Sequence, residues 1–318
     1  MPLNLLHLDD ALLSQPAFRQ QCIGLGAHES ELRDIGPDVR LWARNDVVEL
    51  VRKRLSVELS DLATDEPQLT WIGSGDFHHI TALLVELLTE ARRTRLTIVQ
   101  FDNHPDWVAF DDGLHCGSWI RHVLDSGIVD RVIGLGITSR DLAWPEFKHA
   151  GLECVASGKL ILFPIRPPRT YVMGEYGHGR SHKQTGRQIV WTEFRSDLEW
   201  RDAYLPLSAI ETDAIYITID KDVLTSAEAR TNWDQGQLRL DELLTWLDVL
   251  KQKHKVVGVD VVGDYSKPIY SGTAGTRLKK WGEVSLDQPR KTFSDHQAAE
   301  LNEVTNLKLL KSLQAHLC

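Results

Sequence analysis

Sulfur is scarce in this chain: its 318 residues include four cysteines and two methionines. Cys22, Cys116, Cys154 and Cys318 form no C-x-x-C pair, so neither a zinc ribbon nor a disulfide framework is signalled. No apolar run is long enough to span a bilayer. Positive charge is in deficit, with 36 Lys and Arg against 45 Asp and Glu and a net charge of -9. That balance argues against a general nucleic-acid binder or an anionic-membrane binder. The opening MPLNLLHLDD lacks a basic stretch and turns acidic at once, which makes a poor secretory signal. A cytoplasmic enzyme is the expectation. Internal repeats and low-complexity linkers are missing too.

What is present is a rhythm of short apolar runs and amphipathic stretches. QLTWIGS, RLTIVQF, RVIGLGI, KLILFPI, AIYITI and VVGVDVV are continuously apolar, as strands buried on both faces of a parallel sheet are. Helix-like stretches such as ITALLVELLTEARR and LDELLTWLDVLKQK lie between them. The alternation predicts one α/β domain over residues 1–318, with a mostly parallel sheet covered by helices. Two Gly-, Pro- and basic-rich segments, about 167–190 and 265–292, read as long loops or hairpins. Residues before Trp71 and the terminal LNEVTNLKLLKSLQAHL helix read as structural, with packing across a subunit interface as one role.

Three predicted strands end in polar groups of one chemical kind. GSGDFHH supplies Asp76, His78 and His79; FDNHPD supplies Asp102, His104 and Asp106; and YITIDKDV supplies Asp220 and Asp222. Residues i and i+2 at a strand end point the same way, so Asp102 with His104, and Asp220 with Asp222, can face one cavity. Asp106 lies past the strand, where the Pro105 turn can fold it back. Any one of these stretches alone is commonly a solvated turn, and Asp76 could simply cap a helix that begins at the histidines. All three at the ends of buried strands point to a metal site. Four converging carboxylates cannot all stay ionised without compensating charge. Divalent cations supply it, and a carboxylate-rich set with few imidazoles suits Mn²⁺ better than a thiolate zinc site does.

These stretches resemble the motifs of the arginase–agmatinase (ureohydrolase) superfamily. FDNHPD matches its F-D-A-H-x-D, TIDKD its S-x-D-x-D, and GSGDFHH is similar to its G-G-D-H-S. The resemblance runs from about Trp71 to Tyr265. It implies a three-layer α/β/α fold with two Mn²⁺ at the carboxyl edge of the sheet, and rings of subunits. By position, His78, Asp102, Asp106 and Asp220 would hold one cation, with His79 a rival to His78. His104, Asp102, Asp220 and Asp222 would hold the other. The implied reaction splits a guanidino group into urea and a primary amine. Asp106 would carry a proton to the leaving amine, and His115, in GLHCGSW, would act as a shuttle at the pocket mouth.

Two departures bear on the substrate. Val108 stands where arginases carry a loop Asn that grips free arginine, in a shorter loop bearing Trp107 and Phe110; Trp107 is expected to line the substrate site. Gly263 takes the place of the guanidinium-binding Glu, with Asp264 one residue later as its candidate replacement. An arginine side chain within a peptide, converted to ornithine, fits these changes. The alternatives are an agmatinase-like hydrolase of a small guanidino or formimidoyl compound, a mono-zinc deacetylase-like amidohydrolase, and a non-catalytic binding protein. No nucleic-acid or membrane partner is expected.

Overall fold

The computed structural model describes residues 2–59, 62–195 and 200–317. In chain order its strands are β1 (Leu3–His7), β2 (His28–Glu31), β3 (Trp42–Arg44), β4 (Gln68–Trp71), β5 (Leu96–Phe101), β6 (Gly113–His115), β7 (Arg131–Leu135), β8 (Leu160–Phe163), β9 (Thr170–Tyr171), β10 (His182–Thr185), β11 (Gln188–Trp191), β12 (Ala214–Asp220) and β13 (Lys255–Val262). Eight of them form one sheet in the order β2-β1-β4-β13-β12-β5-β7-β8. Every pairing in it is parallel. The six apolar runs supply six of these strands, and β1 and β2 add an edge that the sequence pattern does not mark.

Strand alternation divides the core into two layers. Leu96 and Ile98 of β5 point toward the helix Ile80–Arg92, whereas Val99 and Phe101 face the cluster built on Trp246, Leu309 and Leu313. Tyr216 and Ile217 of β12 split the same way. Burying each such side chain is worth about 1.5–3 kcal/mol, so a sheet apolar on both sides is stable only between two helical layers. The result is the three-layer α/β/α arrangement.

The C-terminal helix Asp295–Leu317 packs within this chain, against the helices Pro16–Gly24 and Leu240–Lys253. Its buried Asn306 accepts from Trp71 Nε1 (3.2 Å) and from Lys221 Nζ (2.9 Å). The stretch 167–190 contains β9, β10 and part of an antiparallel three-stranded sheet with β11. The other expected loop, 265–292, is corrected by the structure: half of it is the helix Ala274–Asp287, started by Thr273, whose hydroxyl accepts from Thr276 N. Its apolar side chains Leu278, Trp281 and Leu286 point outward, so no buried stripe betrays the helix in the sequence.

Candidate metal centre

A parallel sheet delivers the carboxyl ends of its strands to one edge. After β4, Ser74 caps the short turn Gly75–Phe77 by accepting from Asp76 N (3.3 Å), and this turn swings His78 inward. His78 Nδ1 lies 3.2 Å from Asp102 Oδ2, 3.0 Å from Asp106 Oδ2 and 3.6 Å from Asp220 Oδ2. His104 Nδ1 lies 2.8 Å from Asp222 Oδ2 and 3.7 Å from Asp102 Oδ1. Asp106 reaches the cluster because its backbone turns left-handed, at φ 44°. Its Oδ2 accepts from Trp119 Nε1 (2.7 Å). His79 is buried outside this cluster, and burial, with His115 and Lys280 adding to it, pushes its pKa well below the ordinary imidazole value.

The outward ring nitrogens show what the inward ones are for. Thr218 Oγ1 donates to Asp260 Oδ1 (2.6 Å), so toward His78 it acts as acceptor, and His78 Nε2–H donates to it at 2.9 Å. His104 Nε2–H donates to Asp234 Oδ1 at 2.9 Å in the same way. With the protons placed on Nε2, both Nδ1 lone pairs face carboxylate oxygens. Such an approach needs a positive charge between Nδ1 and the carboxylates, a cation when one is bound and a second imidazole proton when none is, and ligating histidines are oriented by such outer partners. Donor atoms of His78, Asp102 and Asp220, and of Asp102, His104 and Asp222, each lie within 4.8 Å of one another, with Asp102 in both groups. These residues fit two divalent cations sharing a carboxylate.

Electrostatics say the same. Burial, then the nearby Asp102 charge, raises the carboxyls of Asp106 and Asp222 to about 7. Burial, Asp222 and Asp102 push Asp220 well above its usual range. Burial opposes ionisation of Asp102 too, but the His104 and His78 contacts outweigh it and hold this carboxyl below its usual range. Both imidazoles are desolvated, and their carboxylate partners nevertheless raise them well above 6.5.

Two predictions arise from this geometry. Thr218→Val removes the acceptor for His78 Nε2 while preserving shape, and metal affinity should fall about 10- to 100-fold with the fold intact; a competitive-chelator titration checks it. Metal-free protein should also lose stability as pH rises from about 5 to 8. Between these values the unfolded chain has released protons from carboxyls of pKa near 3.8, and then from imidazoles near 6.5. The folded state still holds them on Asp106, Asp222, His78 and His104, so their contribution is lost as pH climbs through the folded values. The depressed Asp102 contributes fully before pH 5 and does not offset the loss, while the depressed His79 gains stability as pH rises to about 6.5 and offsets part of it, against four groups that lose it. A melting temperature that rises with pH in chelator-stripped protein would contradict this.

The centre forms the floor of a cleft of about 630 Å³. His115 lies on its wall: its Nδ1 accepts from Gly117 N (2.8 Å), leaving Nε2–H to donate to Glu283 Oε1 (2.5 Å). Glu283 comes from the helix Ala274–Asp287, and its Oε2 accepts from Trp42 Nε1 (3.2 Å). Trp107 borders the cleft but is 1% exposed, its ring packed on Trp191. Asp264 requires a correction. It is fully buried outside the cleft, accepting from Lys221 Nζ (2.5 Å) and Gln15 Nε2 (2.8 Å), so it cannot meet a substrate there. Asp76 is a scaffold, accepting from Arg40 Nε (2.7 Å), Trp233 Nε1 (2.9 Å) and Gln288 Nε2 (2.8 Å).

Sequence reasoning missed Thr218, Asp234, Asp260, Trp119 and Glu283. Thr218 was within reach, two residues before Asp220 on the same strand face. Trp119 closes the GLHCGSW stretch and Asp260 lies within the apolar run VVGVDVV, both in view but without an assigned role, whereas Asp234 and Glu283 sit far from the motifs and carry no local signal.

A parallel α/β/α sandwich with paired imidazole and carboxylate groups at its carboxyl edge defines the class: the chain has the arginase-type fold. A structure described as a hypothetical agmatinase from Burkholderia thailandensis superposes with TM-score 0.55 over 98% of this chain and 84% of that one, at 16% identity. The arginase of Entamoeba histolytica, in complex with L-ornithine, gives 0.52 over 89% and 97%, at 12% identity. That of Medicago truncatula gives 0.51 over 98% and 87%, at 16% identity. An uncharacterized protein of Thermotoga maritima is 23% identical over 207 residues, 65% of this chain and 62% of that protein's length. No family model matches the chain.

Proposed function

We propose that the chain is a hydrolase of the ureohydrolase superfamily that splits a guanidino group into urea and an amine, with two Mn²⁺ as resident cations. The carrying observation is the pair of histidines whose outer nitrogens are bonded to Thr218 and Asp234 while their inner nitrogens face Asp102, Asp106 and Asp222. Held by these donors, divalent cations would supply Lewis-acid charge and water of lowered pKa. Asp106, anchored by Trp119 and with its carboxyl near neutrality, can take a proton from water and return it to a departing amine. His115 and Glu283 form a second proton-carrying pair on the cleft wall. Glu283 also supplies the carboxylate that a guanidinium requires and that Gly263 does not provide.

The finer reading, an arginine side chain held in a peptide, draws support from the cleft mouth. Exposed Trp144 and Phe147 adjoin Arg140 and Lys148 of the cleft wall, which exposed Leu286 also lines. Urea release by Mn²⁺-loaded protein from free arginine, agmatine and a peptide with an internal arginine tests both levels. Glu283→Gln should lower kcat/KM by about tenfold to a hundredfold with metal content unchanged, the worth of one charge-assisted hydrogen bond. Absence of urea from every compound, with two metals bound, would overturn guanidine hydrolysis. Urea from small compounds alone would overturn the peptide reading.

A further inference from the structure

Past Trp233 and Asp234 the cleft continues into a second cavity of about 510 Å³; the two share Trp233, Asp234, Gln288 and Pro289. The sign of charge reverses across this rim. The floor on one side carries Asp102, Asp106, Asp220 and Asp222, whereas the wall on the other carries Arg230, Arg290 and Lys291. Lys291 is paired with Asp295. Arg230 and Arg290 have no carboxylate partner among the described residues. In a chain of net charge -9, two unpaired guanidiniums on one cavity are not explained by a general surplus of bases.

The cavity is also built. Arg230 is clamped through its backbone: its N–H donates to Asn302 Oδ1 (2.9 Å) and its carbonyl accepts from Asn302 Nδ2 (2.7 Å). Its guanidinium lies over the Phe293 ring, 5.4 Å from the centroid, and Phe293 meets Tyr265 edge-on at 5.1 Å. Lys291 Nζ sits 4.3 Å from the centre of the Tyr265 ring. Stacking on an aromatic face occupies the π surface of a guanidinium and leaves its in-plane N–H fork free for an oxyanion.

We propose that this second cavity binds a carboxylate carried by the same substrate whose guanidino head enters the metal cleft. The inference rests on the function proposed above, and narrows its substrate to a guanidino compound with an acidic far end. The head meets Glu283, the tail meets Arg230 and Arg290, and a substrate presented the other way round sets its guanidinium against those two and forfeits the Glu283 pairing. A cationic tail such as that of agmatine is disfavoured on the same grounds. The carboxylate could come from a free guanidino acid or from an acidic residue beside arginine in a peptide.

The test compares guanidinohexanoate and guanidinobutyrate with hexylguanidine and butylguanidine, and an Arg-Glu peptide with its Arg-Gln counterpart, using Mn²⁺-loaded full-length protein. Glutarate binding is followed in parallel by calorimetry. Arg230→Gln and Arg290→Gln leave the backbone clamp to Asn302 untouched. One acid-tailed series should show a KM about tenfold or more below that of its uncharged counterpart, an advantage that both variants erase without changing the rates on alkylguanidines. Which series responds identifies the source of the carboxylate. Glutarate binding that weakens in both variants, in a protein that never releases urea, would uphold the cavity and overturn guanidine hydrolysis. Urea release indifferent to the tail, or glutarate binding unchanged in both variants, would overturn the cavity's role.

Discussion

Asp102→Asn protein is expected to fold, to bind Mn²⁺ poorly at both positions, and to lose turnover by about a thousandfold or more, an increase in barrier of about 4 kcal/mol. Among the described residues, Asp102 is common to both candidate donor groups, so a single substitution strips an anionic donor from each. Its Oδ1 accepts from His104 N (2.6 Å) and its Oδ2 from Gln100 Nε2 (2.7 Å). Asparagine keeps the first of these bonds through its carbonyl oxygen, so the turn after β5 retains its shape. The amide then presents N–H groups toward Gln100 and His78, where a cation would have to be.

The metal-free form of this variant should be less stable than the parent, because the charge that His104 and His78 hold ionised is lost and the amide N–H faces the buried Gln100 donor. Relief of Asp106, Asp220 and Asp222, which the Asp102 charge helps to raise, offsets part of that loss. The parent should gain several degrees in melting temperature when Mn²⁺ is added, through mass action, and the variant should gain almost none. Elemental analysis after dialysis, melting with and without Mn²⁺, and a urea assay read the three effects separately. Two tightly held Mn²⁺ in the variant would show that Asp102 is not shared between two cations.

Much of this site is legible because its ligands sit where buried strands stop. RLTIVQF and AIYITI mark β5 and β12 by continuous apolarity, and the alternating Asp and His residues after them share a face by the period of a strand. The two strands of the eight-stranded sheet that escaped have a physical reason. HESE of β2 is an edge strand with one buried residue, Ser30, and its polar row looks like a loop. LNLLH of β1 is interrupted by Asn4 and ends on His7, so it lacks the continuous apolarity that marks β5 and β12. The helix Ala274–Asp287 escaped because apolar periodicity reveals a helix only when one face is buried, and this one anchors instead through Lys280. The Lys280 ammonium donates to Asp38 O (2.8 Å) and lies 4.6 Å from the centre of the Trp42 ring. Choosing His78 over His79 needed the turn capped by Ser74, which no spacing rule encodes.

An acid introduced at position 263 should fail, and its failure shows where the protein's guanidinium-binding carboxylate has gone. A Cβ on Gly263 would lie 2.3 Å from Asp220 Oδ1 and 2.5 Å from Lys221 N, and the residue sits at φ 91°. The second contact is backbone and cannot step aside, and the left-handed conformation alone costs a side-chain-bearing residue about 1–3 kcal/mol. Gly263→Ala should therefore melt lower and bind Mn²⁺ more weakly, because Asp220 is the group displaced; Gly263→Glu should be worse. Unchanged melting and metal affinity in Gly263→Ala would refute this packing argument. The neighbouring Asp264 offers no substitute, since its carboxylate is committed to Lys221, Gln15 and Asn306 in the core. The β13 end thus has neither room nor a free carboxylate for a guanidinium, while Glu283, brought over the cleft by the helix Ala274–Asp287, already stands beside His115. Accordingly, Gly263→Glu should not rescue Glu283→Gln: the double variant should show the activity of neither parent, because the new acid disrupts the metal centre before it can serve the substrate.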